Sequence, residues 1–280
     1  MARPTCLYCG APLPEAETPA ATPAEPAPAD DGRALLLLDL RAADVAAVAD
    51  ALGLSAYEAR QRVSGGGWQL HRVLPLEQAD EEAGRLSAAG LLALTVPAAE
   101  AAARARPLHV RGGDDADGLL LHTDEGSLRV TSGALFLIVR GPITREYQTT
   151  ADVKRVRTAT LEGGHRIHLH RRDDPRPLEL DSLAFDFGDA ALPSLSSLLT
   201  ILDWLEQAVP DTPADDAFRR VAPALAPASA HGGGGRLHAA DALRAPRRGS
   251  QDGPLVLDNL EQFRAYSGWR AAVHLRSASG

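Results

Sequence analysis

The stretch ALLLLDLRAADVAAVADALGLSAYEARQRV, residues 34–63, decides the fold of the first half of the chain. It begins with an unbroken apolar run at 34–38, which is typical of a buried strand. Apolar residues then recur at helical spacing over 42–52 and predict a helix. Ser55 and Glu58 have the spacing of a capping box, so a second, short helix is predicted directly after the first.

The residues that follow complete a small α+β unit. Glycines at 65–67 end the second helix, and 69–74 is typical of a strand. Residues 75–89 are acidic at their start and apolar at helical spacing, which predicts a third helix. A closing strand follows at 91–96. The predicted order over residues 34–97 is therefore β-α-α-β-α-β, which needs a sheet covered by helices on one side.

One motif of this unit resembles the pattern of a known family. It comprises Leu52-Gly53-Leu54, Glu58-Ala59-Arg60 and Val63. Residues 34–96 thereby resemble the C-terminal domain of the bacterial ribosomal stalk protein, whose general fold the Clp protease adaptor shares. In that family the helical region docks translation factors with the help of lysines. Tyr57 stands where one lysine would be and Arg60 keeps a charge, so the resemblance implies a protein-docking face around these two residues.

A β-rich unit is predicted over residues 107–208. Short apolar runs separated by Gly, Asp or Ser predict strands at 108–111, 119–123, 127–130, 135–140, 165–171 and 177–180. Leucines at helical spacing over 194–207 predict a helix that caps this unit. An antiparallel meander closed by one helix resembles the pleckstrin-homology architecture. The sequence thus predicts the α+β fold class, with two folded units.

Three further segments flank these units. Residues 1–33 combine a cysteine pair with a run dominated by Ala and Pro, which predicts a disordered tether. Residues 209–256 are rich in Pro, Ala, Asp and Gly and predict a flexible linker. Residues 257–276 predict a short amphipathic helix that is interrupted near Gly268 and docks on a domain or on a partner.

The cysteine pair is the sharpest local motif of the chain. Cys6-Leu7-Tyr8-Cys9-Gly10 resembles half of a zinc ribbon, because two thiolates three positions apart can share one tetrahedral zinc ion. The chain has no further cysteine, so histidine, a carboxylate or a second copy of the chain must supply the other ligands. The last case predicts a homodimer. The alternatives are a metal-free knuckle or a redox-labile pair.

The second candidate metal site is a pair of histidines. On a strand, His168 and His170 face the same side, where one metal ion fits between them, while Ile167 and Leu169 face the core. Together with the cysteine pair they would form a Cys₂His₂ site. The favoured alternative is a solvated strand face. A metal-dependent enzyme built on these residues is one of two alternative functions.

The other alternative function is a sensor of anionic ligands on the β-rich unit. Such a site needs several basic side chains to converge. The candidates are Arg140, Arg145, Lys154, Arg155, Arg157, Arg171 and Arg172. The usual outcome for such residues is a scattering over exposed strand positions.

Charge and composition exclude several function classes. A net charge of −8 argues against nucleic-acid binding, which needs a basic face. The longest apolar runs are far shorter than a membrane span, and no secretory signal is found, so a cytoplasmic location in a bacterium is expected. No hydrolase motif occurs. We therefore expect a non-enzymatic interaction or regulatory protein, whose unidentified protein partner docks around Tyr57 and Arg60, with zinc as an accessory.

Overall fold

The apolar run of the first unit forms the central strand of a sheet. In the computed structural model, which describes residues 32–152, 155–188, 194–220 and 255–278, this strand is β1 (Arg33–Asp39). It pairs antiparallel with β2 (Trp68–Pro75) on one side and with β3 (Leu92–Pro97) on the other. Both neighbours match the predicted strands closely. The apolar run therefore has a paired strand on each side along its whole length.

Three helices cover one face of this first sheet. They are α1 (Val45–Leu52), α2 (Ala56–Gly65) and α3 (Leu76–Ala88). The capping box at Ser55 and Glu58 is present, with both reciprocal hydrogen bonds. The β-α-α-β-α-β order predicted for residues 34–97 is confirmed, and the α+β fold class with it.

A second sheet follows. A short helix, α4 (Ala98–Arg104), leads into it. Its strands are β4 (Leu108–Asp114), β5 (Leu120–Thr123), β6 (Gly126–Arg129), β7 (Leu135–Asp152), β8 (Arg155–Arg171), β9 (Leu178–Asp181), β10 (Ala214–Asp215) and β11 (Leu255–Asp258). Their spatial order is β10-β7-β8-β9-β4-β5-β6, and β11 also pairs with β7. Most pairs are antiparallel, but β4 with β9 and β10 with β7 are parallel. The sheet is therefore mixed, because strands far apart in sequence return beside one another.

The helix α5 (Ser194–Ala208) covers one face of the second sheet, as predicted for a capping helix. Ile201 and Leu205 pack there in one hydrophobic cluster with Ile167 and Leu169 of β8. The residues after α5 differ from the expected flexible linker over 209–256. The segment up to residue 220 is folded, since Asp215 and Phe218 are buried and β10 pairs with β7. Residues 221–254 lie outside the described part.

The C-terminal helix, α6 (Leu260–Ala278), lies between the two sheets. Its Phe263, Tyr266 and Trp269 share one hydrophobic cluster with Leu35 of β1 and Val139 of β7. The first sheet is thus covered on both faces, in contrast to the one-sided cover predicted. The two folded units share a core through this helix.

The predicted break at Gly268 is wrong, because α6 runs through it without interruption. A Cβ atom added at Gly268 would lie 2.3 Å from the carbonyl oxygen of Ala101 and 3.0 Å from the backbone nitrogen of Ala105. The glycine is therefore explained by the close approach of α4 to α6. The helix also begins at Leu260 instead of 257, since Leu257 belongs to β11.

Candidate functional site

The alternation of β8 places His168 and His170 on the face of the sheet that meets α6. Ile167 and Leu169 point to the opposite face, toward α5, as predicted. The expected solvated face is wrong: the two histidines are 0% and 1% exposed. They are buried because α6, which lies about a hundred residues further along the chain, packs over this face of β8.

Both histidines contact the same hydroxyl group on α6. The Oγ atom of Ser267 lies 2.8 Å from Nδ1 of His168 and 2.8 Å from Nε2 of His170. The Nε2 atom of His168 lies 3.0 Å from Oε2 of Glu179 on β9. We call the four residues Glu179, His168, Ser267 and His170 the histidine network. It joins β8, β9 and α6 across the buried interface.

Glu179 forms the charged end of the histidine network. Arg264 of α6 donates two hydrogen bonds of 2.8 Å to its two carboxylate oxygens, and His109 lies 3.2 Å from one of them. Burial by itself raises the pKa of Glu179, but the hydrogen bonds from Arg264, His109 and His168 outweigh it and hold this pKa well below its usual range. Glu179 is therefore an anion that only accepts hydrogen bonds.

The hydrogen bonds of the histidine network compete with the predicted metal site. Both ring nitrogens of His168 already have protein partners, so a metal ion would have to displace one of them. Within the described ranges, no group of three or more His, Cys, Asp or Glu side chains is placed to hold a metal ion. Cys6 and Cys9 lie outside these ranges, and zinc at the cysteine pair stays a prediction.

Beside the histidine network, cationic side chains surround the ring of Phe136 on β7. The guanidinium carbons of Arg104 and Arg172 lie 6.0 and 5.8 Å from the ring centroid. The imidazoles of His170 and His274 lie 5.9 and 5.8 Å from it. We call these five residues the Phe136 cluster. They come from α4, β7, β8, α6 and the residue directly after β8.

The positive charge of the Phe136 cluster has no directly paired acid among the described residues. None of the described residues forms an ion pair with Arg104, Arg172 or His274. Burial lowers the pKa of Arg104, and the charge of Glu100 offsets this effect only in part. The carboxylate of Glu100 is itself held by Arg276 at 2.6 Å.

Burial and the nearby positive charges lower the pKa of both histidines of the Phe136 cluster. Burial and the neighbouring His168, Arg104 and His274 hold the pKa of His170 well below its ordinary value. Burial and the charges of Arg270 and Arg172 likewise lower the pKa of His274. Two buried polar atoms of the cluster, Nε of Arg104 and Nδ1 of His170, have no hydrogen-bond partner among the described residues. The cluster therefore contains a buried guanidinium nitrogen and a buried ring nitrogen that have no hydrogen-bond partner among the described residues, in a positive environment.

The basic patch predicted from the sequence overlaps only in part with the Phe136 cluster. Arg140 lies 3.8 Å from Asp216, and Arg171 pairs with Asp174 at 2.9 Å, so both have acidic partners. Arg172 does belong to the Phe136 cluster. Sequence reasoning missed Arg104 and His274, because nothing in their local sequence shows that α4 and α6 meet at Phe136. The side chains of Arg145, Lys154, Arg155 and Arg157 lie outside the described part.

The predicted docking residues lie elsewhere, on α2. Tyr57 is 67% exposed, and its hydroxyl accepts a hydrogen bond of 2.8 Å from the side chain of Gln61. Arg60 is exposed on the same helix, whereas Ala59 is buried against the first sheet. Helix α2 thus presents both predicted residues to solvent.

Comparisons with protein-family models, with curated proteins and with solved structures give no match to this chain. Among the described helices, none combines the length and the apolar character needed to cross a membrane.

Proposed function

We propose that this chain is a non-enzymatic binding protein that recognises a small tetrahedral oxyanion at the Phe136 cluster. The observation that carries the proposal is the convergence of Arg104, Arg172, His170 and His274 on one ring without an acidic partner among the described residues. Guanidinium groups bind phosphate-type oxygens through charge-assisted hydrogen bonds. A cytoplasmic location, as expected from the sequence, is part of this proposal.

The energetics of the Phe136 cluster support an anion as its ligand. A buried donor without a partner costs free energy. Nε of Arg104 is such a donor. An anion beside it would accept that hydrogen bond. Arg172 is exposed to solvent, whereas His170 is buried.

Isothermal titration calorimetry with inorganic phosphate tests the proposal. We expect saturable binding to the full chain with one phosphate per protein. Arg172→Ala should weaken it about tenfold or more, because each charge-assisted hydrogen bond contributes roughly 1.5–3 kcal/mol. Arg111→Ala is the matched control, since Arg111 is an exposed arginine that pairs with Asp124 on another part of the same sheet. Absence of saturable binding, or equal losses in both variants, would overturn the proposal.

A second candidate function is protein docking on α2, supported by the exposure of Tyr57 beside Arg60. Tyrosine and arginine are enriched among the residues that dominate protein interfaces. The positive charge of Arg60 favours a partner protein that carries a carboxylate opposite it. The test is affinity capture with the full chain, followed by binding measurements with the purified candidate. A partner that binds Tyr57→Ala and Arg60→Ala as tightly as the unchanged protein would exclude this surface.

A further inference from the structure

The Phe136 cluster and the histidine network meet at His170, whose two ring nitrogens have different surroundings. Its Nε2 atom lies 2.8 Å from the hydroxyl oxygen of Ser267. Its Nδ1 atom is buried and has no partner among the described residues. The nitrogen that carries the proton decides which ligand atoms Nδ1 can contact, because a protonated nitrogen donates and a bare one accepts.

The histidine network determines which nitrogen that is. Glu179 is ionised and only accepts, so Nε2 of His168 must donate to it. Burial keeps His168 neutral, which leaves its Nδ1 as an acceptor for the hydroxyl proton of Ser267. The oxygen of Ser267 then accepts from Nε2 of His170. Each donor in this series has one acceptor, and the series ends at His170.

His170 is left with a bare Nδ1 atom. Its burial, together with the nearby His168, Arg104 and His274, lowers its pKa, so the ring is neutral and carries its proton on Nε2. The Nδ1 lone pair is therefore a buried acceptor without a partner among the described residues, on a ring whose centroid lies 5.9 Å from that of Phe136. A fully deprotonated oxyanion would place a second acceptor against this lone pair.

We infer that the Phe136 cluster selects an oxyanion that carries its own proton, as inorganic phosphate does at neutral pH, over one that carries none, such as sulfate. This inference rests on the proposed anion site and specifies its ligand class. The P–OH group would donate to Nδ1 of His170, while the remaining oxygens accept from Arg104 and Arg172. Ser267 is a specificity-determining residue in this arrangement, because its hydroxyl holds His170 in the tautomer with a bare Nδ1.

Calorimetry at pH 8 with three probes tests the inference on the unmodified full chain. Inorganic phosphate keeps one proton at this pH, whereas sulfate has none and methyl phosphate, with a second pKa of about 6, has lost its own. We expect phosphate to bind about tenfold or more tighter than either, since an unpaired buried acceptor penalises the wrong ligand strongly. The methyl phosphate arm also separates free phosphate from phosphate attached to a larger molecule.

The Ser267→Ala variant tests the proposed cause of the selectivity. Without the serine oxygen, Nε2 of His170 has no acceptor, and the tautomer that is protonated on Nδ1 becomes accessible. The preference for phosphate over sulfate should then fall toward one, with sulfate binding gained. Ser277→Ala, at an exposed position of the same helix, is the control and should keep the preference.

The outcomes separate this inference from the proposed function. If phosphate does not bind the unmodified protein, the anion site itself is wrong. If phosphate, sulfate and methyl phosphate bind with equal affinity, the anion site stands and the selectivity by His170 is wrong. The comparison of three ligands on the unmodified chain decides this question even if Ser267→Ala fails to fold.

Discussion

The hydroxyl oxygen of Ser267 on α6 lies 2.8 Å from Nδ1 of His168 on β8, and both side chains are completely buried. The two residues are 99 positions apart in the sequence. Their contact joins the C-terminal helix to the second sheet, while the same helix packs against the first sheet through α4 and β3. The position of α6 therefore determines both the shared core and the geometry of the candidate site.

The contact between α4 and α6 should respond strongly to Gly268→Ala. The added Cβ would lie 2.3 Å from the carbonyl oxygen of Ala101, so the two helices would have to separate. We expect a loss of at least about 2 kcal/mol in the free energy of unfolding, measured by urea denaturation. Gly84→Ala in α3 is the control, since no atom lies within 4 Å of its added Cβ, and it should be neutral or stabilising. Equal effects of the two substitutions would contradict the close packing of these helices.

The charge of Glu179 should contribute to stability in a pH-dependent way. Glu179→Gln leaves Arg264 without its buried partner, so we expect a loss of about 3–5 kcal/mol at pH 7. Because the folded-state pKa of Glu179 is lowered, this contribution is full above the unfolded pKa of about 4.3 and is lost as the pH falls below it. The difference between the two proteins should therefore shrink between pH 5 and pH 3 in urea denaturation. Glu82→Gln, in an exposed pair with Arg85, should cost less than about 1 kcal/mol.

Arg104→Met separates a binding role from a structural one. Methionine keeps an apolar stem and removes a half-buried charge without an ion-pair partner among the described residues. We expect the protein in phosphate-free buffer to be at least as stable as the unmodified chain, as seen when buried charges give way to apolar groups. Added phosphate should stabilise the unmodified protein against urea but not the variant. A large loss of stability without phosphate would identify Arg104 as a structural residue.

The first unit offers an independent test of pH dependence at His71 on β2. Burial, followed by the charges of Arg62 and Arg72, lowers the pKa of His71 from 6.5 to about 4. The unfolded chain therefore binds a proton that the folded chain does not, so stability should fall as the pH drops from 6.5 toward 4. His71→Gln should reduce that fall, measured as the change in urea midpoint between pH 7.5 and pH 5. His122→Gln on β5 is the control, and an unchanged slope in His71→Gln would contradict the prediction.

The local sequence was sufficient for the elements whose partners are near in the chain. The apolar run at 34–38 and the capping box at Ser55 each predict a feature that the structure contains. In both cases the signal lies within a few residues of sequence. The hydrogen bonds of the capping box are equally local, whereas β1 pairs with strands at 68–75 and 92–97.

The parts that depend on α6 could not be predicted in the same way. The sequence predicts a helix break at Gly268, because only the neighbouring α4 backbone explains why a glycine is needed there. It favours a solvated face for His168 and His170, because the serine and glutamate that satisfy them come from α6 and β9. Arg104 and His274 meet at Phe136 only after both sheets have packed on α6. Contacts between residues that are far apart in the sequence produce no local spacing pattern from which they could be predicted.

The most direct test of the anion site is long-range proton–nitrogen NMR correlation of the histidine side chains during a titration with inorganic phosphate. We expect the imidazole signals of His170 and His274 to shift saturably with one shared Kd. The signals of His109 and His122, outside the Phe136 cluster, should stay unchanged. If the His170 and His274 signals remain fixed while phosphate is added, or shift only in proportion to those of His109 and His122, the Phe136 cluster is not a binding site.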